Sequence, residues 1–293
     1  MAPDRVLSTV DPQARHTRKS RSQRRDGYRA HLMTEPDTGL ITDCEMTMAT
    51  GPDNTDAAMG VTLADRDRFH PGSQPADPAE PADPAEASGP TSQTGQDSNV
   101  QRPDDGQRPK AGLEIYGDSA YGSGQARADY AAAGHDTVIK PKPVTPAVPG
   151  GFTVDDFIID DKTVTCPGAH TRPMSANRTV TFGTLCADCP LRARCTTAKA
   201  GRSMTNHEHE DLLRAARAQA RTPEFQTAYP TRASVERSVA HVVTQNGRRV
   251  KLRYRGVTKN NAWLHTRAAA LNLRTLVRRG LTRSAGGWAL ATT

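Results

Sequence analysis

Apolar positions along the chain repeat every second residue in its first half and every three to four residues in its last third. Residues 5–10 form a short β-branched run. Residues 28–35 and 40–48 flank Pro36-Asp37-Thr38-Gly39, where proline presets φ and glycine supplies a positive φ. The pattern predicts three strands, the last two paired antiparallel across a turn. In the third, Leu40, Cys44, Met46 and Met48 share a face with Thr42, and Asp43, Glu45 and Thr47 share the other. Residues 113–116 predict a strand that stops at Gly117-Asp118. A helix follows, capped by Ser123 and closed by Gly134, and residues 137–140 resume as a strand. That is a β-α-β unit. Short strand signals return between 152 and 200. From His209 onward the pattern is mainly helical, except for the basic stretch 248–255.

Between residues 64 and 112 the only large apolar side chains are Phe69 and Val100, and Pro-Ala-Asp-Pro-Ala-Glu occurs twice in tandem from Pro75 to Glu86. Such a stretch cannot bury enough surface to order itself. The reading is therefore a first part of one folded unit over 1–63, a disordered insertion over 64–112 and a second part over 113–140. A β-rich, cysteine-containing insertion over 141–208, a helical part over 209–280 and a tail over 281–293 complete it. The fold class is α/β.

Composition narrows the function. No run approaches the roughly eighteen apolar residues of a membrane span, and the first thirty residues hold an Arg-rich stretch where a secretory signal would be apolar. A cytoplasmic protein without membrane contact is expected. The net charge is +7, but from Gly201 to the end seventeen basic residues face five acidic ones. That excess suits a partner with a phosphate backbone. Arg15, Arg18, Lys19, Arg21, Arg24 and Arg25 form one basic track, and Arg248, Arg249, Lys251, Arg253 and Arg255 a second. Each could equally be a solvated face.

Four of the five cysteines, Cys166, Cys186, Cys189 and Cys195, have the spacing Cys-x19-Cys-x2-Cys-x5-Cys. Four thiolates around a tetrahedral Zn²⁺ would staple a segment that lacks an apolar core of its own; four free thiols are the alternative. His170, His207 and His209 are reserve ligands. Cys44 is expected in the core.

Two carboxylates draw attention. Asp118 lies at the carboxyl end of a predicted strand, where ligands collect in open α/β sheets, although an Asp in a turn is the plainer reading. Glu236 falls on the shoulder of the helical stripe Val235, Val239, Val242 and Val243. A partly desolvated carboxylate there needs a cation or donors. It either binds a metal or only pairs with Arg232 or Arg237.

Tyr229, Arg232 and Glu236 have the spacing Tyr-x2-Arg-x3-Glu, which resembles the third catalytic motif of bacterial insertion-sequence transposases with a DDE, RNase H-like catalytic domain. The segments Val6-Leu-Ser-Thr-Val-Asp-Pro-Gln-Ala-Arg15, Lys19-Ser20, Asp26-Gly-Tyr28, Tyr-Gly-Asp-Ser-Ala-Tyr-Gly-Ser-Gly, Cys-Ala-Asp-Cys-Pro-Leu-Arg and Val235-Glu-Arg-Ser-Val-Ala-His241 agree with it. In many relatives a Lys follows the Glu after six residues; that place is Val243 here, and Arg248, Arg249 and Lys251 are the nearby cations. The resemblance implies a mixed sheet flanked by helices and two divalent ions, Mg²⁺ or Mn²⁺, held by Asp11, Asp118 and Glu236. Asp43 is the reserve, and a first ligand upstream of Met1 would mark a truncated copy. It further implies that Tyr229 and Arg232 contact the DNA backbone, and that a homodimer acts on element ends and target. An inactive remnant that binds zinc and nucleic acid is the competing expectation.

Overall fold

A computed structural model of the chain describes residues 7–18, 24–67, 112–284 and 287–290. Strands β1 (Arg15–Arg18), β2 (Arg24–Thr34) and β3 (Ile41–Met48) form an antiparallel sheet in that order. The β2–β3 turn closes as expected: Gly39 has φ 70°, and the Glu35 carboxylate accepts the N–H groups of Asp37 and Thr38 at 2.8 and 2.7 Å. The strand expected over 5–10 needs correction. Its described part, residues 7–10, is bent, with the Ser8 hydroxyl accepting the Val10 and Asp11 N–H groups at 3.1 and 3.3 Å. Asp11 therefore sits in a turn ahead of β1, and β1 takes up the first residues of the first basic track, Arg15 to Arg18. Lys19 and the low-complexity stretch from 68 to 111 lie outside the described residues.

Helix α1 (Asp56–Asp65) was not expected in a portion read as strands only. Thr55 caps it, accepting the Ala58 N–H at 3.1 Å, and Met59, Leu63 and Ala64 are buried one and two turns in. The signal was a Thr-Asp start followed by apolar residues four apart. The β-α-β unit is present: β4 (Glu114–Gly117), α2 (Gly124–Ala132) and β5 (Asp136–Ile139), with the strands parallel. Ser123 accepts the Ala126 N–H at 3.2 Å and Gly134 takes φ 77°. Ala64, Ile115, Ala126, Tyr130 and Ile139 form the core that joins α1 and α2 to β4 and β5.

The next segment is β-rich. Strands β6 (Ile158–Ile159), β7 (Thr163–Thr165) and β8 (Thr171–Pro173) make one antiparallel sheet, and β9 (Thr179–Thr181) pairs with β10 (Ser203–Thr205) around the short α3 (Arg192–Cys195). The segment does have an apolar core of its own. Phe157 and Phe182 meet with ring centroids 6.0 Å apart, and Val164 and Val180 are buried with them. It is joined to α4 (Glu210–Gln219) through Arg217, which bonds the Asp155 carboxylate at 2.9 Å and also Glu210.

Helices α5 (Pro223–Ala228) and α6 (Ala233–Val243) follow, joined by a 3-10 turn, Tyr229–Arg232. The basic stretch is a small hairpin, β11 (Thr244–Gln245) and β12 (Arg248–Arg249), turned at Asn246-Gly247 with φ of 50° and 72°. Helix α7 (Val257–Arg278) lies along the outer edge of β3. Asn261 accepts the Met46 N–H, and Asn272 accepts the N–H and donates to the C=O of Ile41, all at 2.8 Å. Side-chain amides thus finish a strand edge that would otherwise be unpaired. Cys44, with Ile41, Met46, Val242, Leu264 and Ala268, fills the core beneath. In place of a plain tail, β13 (Leu281–Ser284) pairs with β14 (Gly287–Leu290).

The architecture is mixed α/β. The expectation of one mixed sheet is not met among the described residues: the β1–β3 and β4–β5 sheets share no ladder. Residues 28–34 of β2 pair only with β3, and β4 only with β5.

Candidate carboxylate site and cysteine cluster

Gly117 ends β4, and Asp118 turns away from the sheet into solvent. Its carboxylate accepts the Ala120 N–H at 2.8 Å and its carbonyl the Tyr121 N–H at 3.1 Å, so the turn fixes its direction. The 3-10 turn before α6 packs on β4. That contact brings Arg232 and Glu236 to the same opening as Asp118. All three line one cavity of about 600 Å³, together with the end of β2, Tyr121 and Tyr130. The hydroxyls of Thr34, Thr42, Tyr130 and Ser234, residues on its walls, are buried without hydrogen-bond partners.

Glu236 departs from expectation. Its side chain is 64% exposed rather than partly desolvated, because Ser238 and Val242 take the buried side of α6 and Val239 faces solvent. It pairs with Arg232, Nη2 to Oε1 2.9 Å. Tyr229 stacks on Phe225 with centroids 5.2 Å apart, and the Arg232 guanidinium lies over the Tyr229 ring at 5.5 Å. The tyrosine therefore positions the arginine.

Asp11 is not part of this opening. Both its oxygens accept from the Tyr28 hydroxyl at 2.6 Å, and that hydroxyl accepts the Gly256 N–H at 2.8 Å just before α7. Burial, and the bond to Asp11, push the Tyr28 phenol up to about 12. Asp11 lines a different cavity, which Arg249 and Lys251 also border. Asp43, the reserve, is occupied by Arg66, which also meets Glu45 at 2.7 Å. Among the described residues no group of three or more His, Cys, Asp or Glu stands in an arrangement that could hold a metal ion.

An acidic neighbour of Asp118 was not singled out from the sequence. Asp56, in the first turn of α1, lies 3.6 Å from Arg29 and 3.5 Å from His31. Burial raises its carboxyl, with the Asp118 charge adding to the effect and Arg29 opposing it. His31 is enclosed; burial, then the Arg29 charge, lower its imidazole to about 4, so it faces Asp56 as a neutral ring. Its other nitrogen lies 3.2 Å from the Thr47 hydroxyl. The only sequence signal for Asp56 was its place after a capping threonine.

Cys166, Cys186, Cys189 and Cys195 line one small cavity with His170. Burial pushes the Cys195 thiol up; Arg202 opposes this, and the other three cysteines add to it. His207 and His209 are elsewhere: His207 lies against Gly124 and His209 reaches Gln125 at 3.3 Å, both on α2. Arg248, Arg249 and Lys251 are exposed on and beside β12.

Among the described residues no helix is long and apolar enough to cross a membrane. No curated protein and no solved structure matches the chain. Residues 165–277 do match a family model, described as the transposase DDE domain. The match runs from beside the first cysteine of the cluster through Glu236 into α7. Over this segment, rather more than a third of the chain, the sequence is similar to the transposase DDE domain family.

Proposed function

We propose that the chain is a DDE-type transposase of an insertion sequence, which cuts a phosphodiester at the element's end and joins the freed 3′-hydroxyl to target DNA. The observation that carries this reading is the convergence of Asp118 and Glu236, far apart in sequence, on one cavity beside Arg232. Two carboxylates opening onto shared space are hard oxygen donors and fit Mg²⁺ or Mn²⁺. Asp118 and Glu236 would hold such an ion, which when bound supplies Lewis-acid stabilisation of the attacked phosphate. Arg232, fixed by Tyr229, offers a planar fork that grips phosphate oxygens in pairs, so a scissile phosphate would compete with Glu236 for it.

Asp11 is the third carboxylate of this reading. The unpaired edges of β2 and β4 border the cavity, and the orphaned hydroxyls on its walls call for partners. To act with the other two carboxylates, Asp11 would exchange Tyr28 for the cavity. The four cysteines that line one small cavity are soft thiolate donors of the kind Zn²⁺ takes, and they would have to draw together to hold it. A homodimer on paired DNA ends, in the reducing cytoplasm, completes the reading.

The test is incubation of the full chain with element-end DNA and Mg²⁺, with and without chelator. Metal-dependent strand cleavage is expected; none under conditions where the DNA is bound would refute the catalytic reading. One observation favours a second reading, a noncatalytic zinc- and nucleic-acid-binding protein: Asp11 is tied to Tyr28, away from the other two carboxylates. In that case binding would persist and cleavage would be absent.

A further inference from the structure

We propose that Arg127, buried on α2, is a positioning residue for Asp118: its guanidinium ties the end of β5 to the 118–123 loop and so sets the aim of the carboxylate. This rests on the reading of Asp118 as a site carboxylate and extends it to a residue that does not itself line the cavity. Arg127 is 5% exposed, and among the described residues no carboxylate pairs with it. Its Nη2 donates to the Ile139 carbonyl at 2.8 Å, Nη1 reaches the Thr137 hydroxyl at 3.5 Å, and Nε has no partner. A buried cation without a counter-charge costs stability, and an apolar side chain of similar volume often serves a core as well or better. Stability alone gives no reason for an arginine here.

Its neighbours do. The fully buried Ile139 side chain lies against both ends of the loop that carries Asp118. A Cβ added to Gly117 would meet Ile139 Cγ1 at 3.2 Å and Tyr121 Cβ at 3.3 Å, and one added to Gly122 would stand 2.8 Å from both Ile139 Cγ2 and Arg127 Nη2. Two glycines thus let the loop close down on Ile139, and the guanidinium holds the backbone of that same residue.

Between the glycines, the Asp118 carboxylate accepts the Ala120 N–H and its carbonyl the Tyr121 N–H, so its direction changes only if the loop moves. Beyond them the Arg127 N–H bonds the Ser123 carbonyl at 3.0 Å, which roots the loop in the first turn of α2. Arg127 therefore grips the loop with its backbone and the end of β5 with its side chain. Leucine or methionine would fill the space and leave the Ile139 carbonyl without that bond. Misplacing a reacting group by about 1 Å costs on the order of a hundredfold in rate, and a tether of this kind guards against it.

The experiment combines amide hydrogen exchange with cleavage of element-end DNA, on the full chain, for wild type, Arg127→Met and Arg127→Lys. Arg127→Met is expected to leave the melting temperature and the exchange of α7 close to wild type, while the Ala120 and Tyr121 amides exchange about tenfold faster or more. Its kcat for Mg²⁺-dependent cleavage should fall by about a hundredfold with KM unchanged. Arg127→Lys, which keeps the charge and a donor, should recover part of both losses. Exchange at the two amides equal to wild type, protection lost across the whole molecule, failure of Arg127→Met to fold, a change in KM in place of kcat, or a lysine variant no better than methionine would each overturn the proposal. A wild-type chain that never cleaves sinks the transposase reading, and the exchange of the two amides then decides this one. Equal cleavage by wild type and Arg127→Met sinks this proposal and leaves that reading standing.

Discussion

Arg232 and Glu236 stand one turn apart at the start of α6, joined Nη2 to Oε1 at 2.9 Å, beside the cavity that Asp118 also lines. An exposed pair of this kind adds less than about 1 kcal/mol to stability. Its placement, not its strength, gives it consequence.

Glu236→Gln and Asp118→Asn are therefore expected to change the melting temperature little and to abolish Mg²⁺-dependent cleavage of element-end DNA while leaving most DNA binding intact. Gel-based cleavage and binding measured on the same preparations check this. A variant that still cuts at the normal rate removes its residue from the site.

His31 gives the protein a pH dependence whose sign is fixed. The folded imidazole is lowered from 6.5 to about 4, so between those values the unfolded chain binds the extra proton. The stabilising contribution is complete above about pH 6.5 and is lost as pH falls toward 4, on the order of 3 kcal/mol across the window. Urea unfolding at pH 7 and pH 5 should show the drop, and His31→Gln should flatten it; an equal drop in both proteins would contradict the assignment.

Asn272 completes the edge of β3 at Ile41 with two bonds of 2.8 Å. Asn272→Ala strands both backbone groups and should cost about 1–3 kcal/mol, read as a lower urea midpoint. Asn272→Asp, which keeps the acceptor but not the donor, should fall between the two. Wild-type stability in the alanine variant would show that the amide is dispensable.

For the cysteines, elemental analysis of purified, freshly reduced protein should find about one zinc per chain. Cys189→Ser should lower that content and loosen the 141–208 segment to proteolysis. Zinc-free protein that is fully folded would leave four plain thiols.

How much of this was legible in advance varies with the range of the forces involved. The β2–β3 turn, the Ser123 cap and the Gly134 stop are written in adjacent residues, and they stand where the sequence puts them. Convergence of Asp118 with Glu236 was reachable only through the family motif, since the contact of the 3-10 turn with β4 is long-range. The exposure of Glu236 was misread because a stripe of valines does not say which of its members meets the core; Val242 does and Val239 does not. The tie between Asp11 and Tyr28, and the amides of α7 along β3, leave no local signature at all. Neither does the choice of Arg66 as partner for Asp43, made across a strand and a helix.

Arg217 carries one more implication. It is buried between Asp155 and Glu210, so the β-rich segment and α4 are joined by charges that lose their compensation if either side is replaced alone. The 141–208 segment is consequently not an interchangeable cassette. A chimaera that grafts it from another protein should fold only when α4 travels with it, and the two stretches are expected to have been inherited as one block.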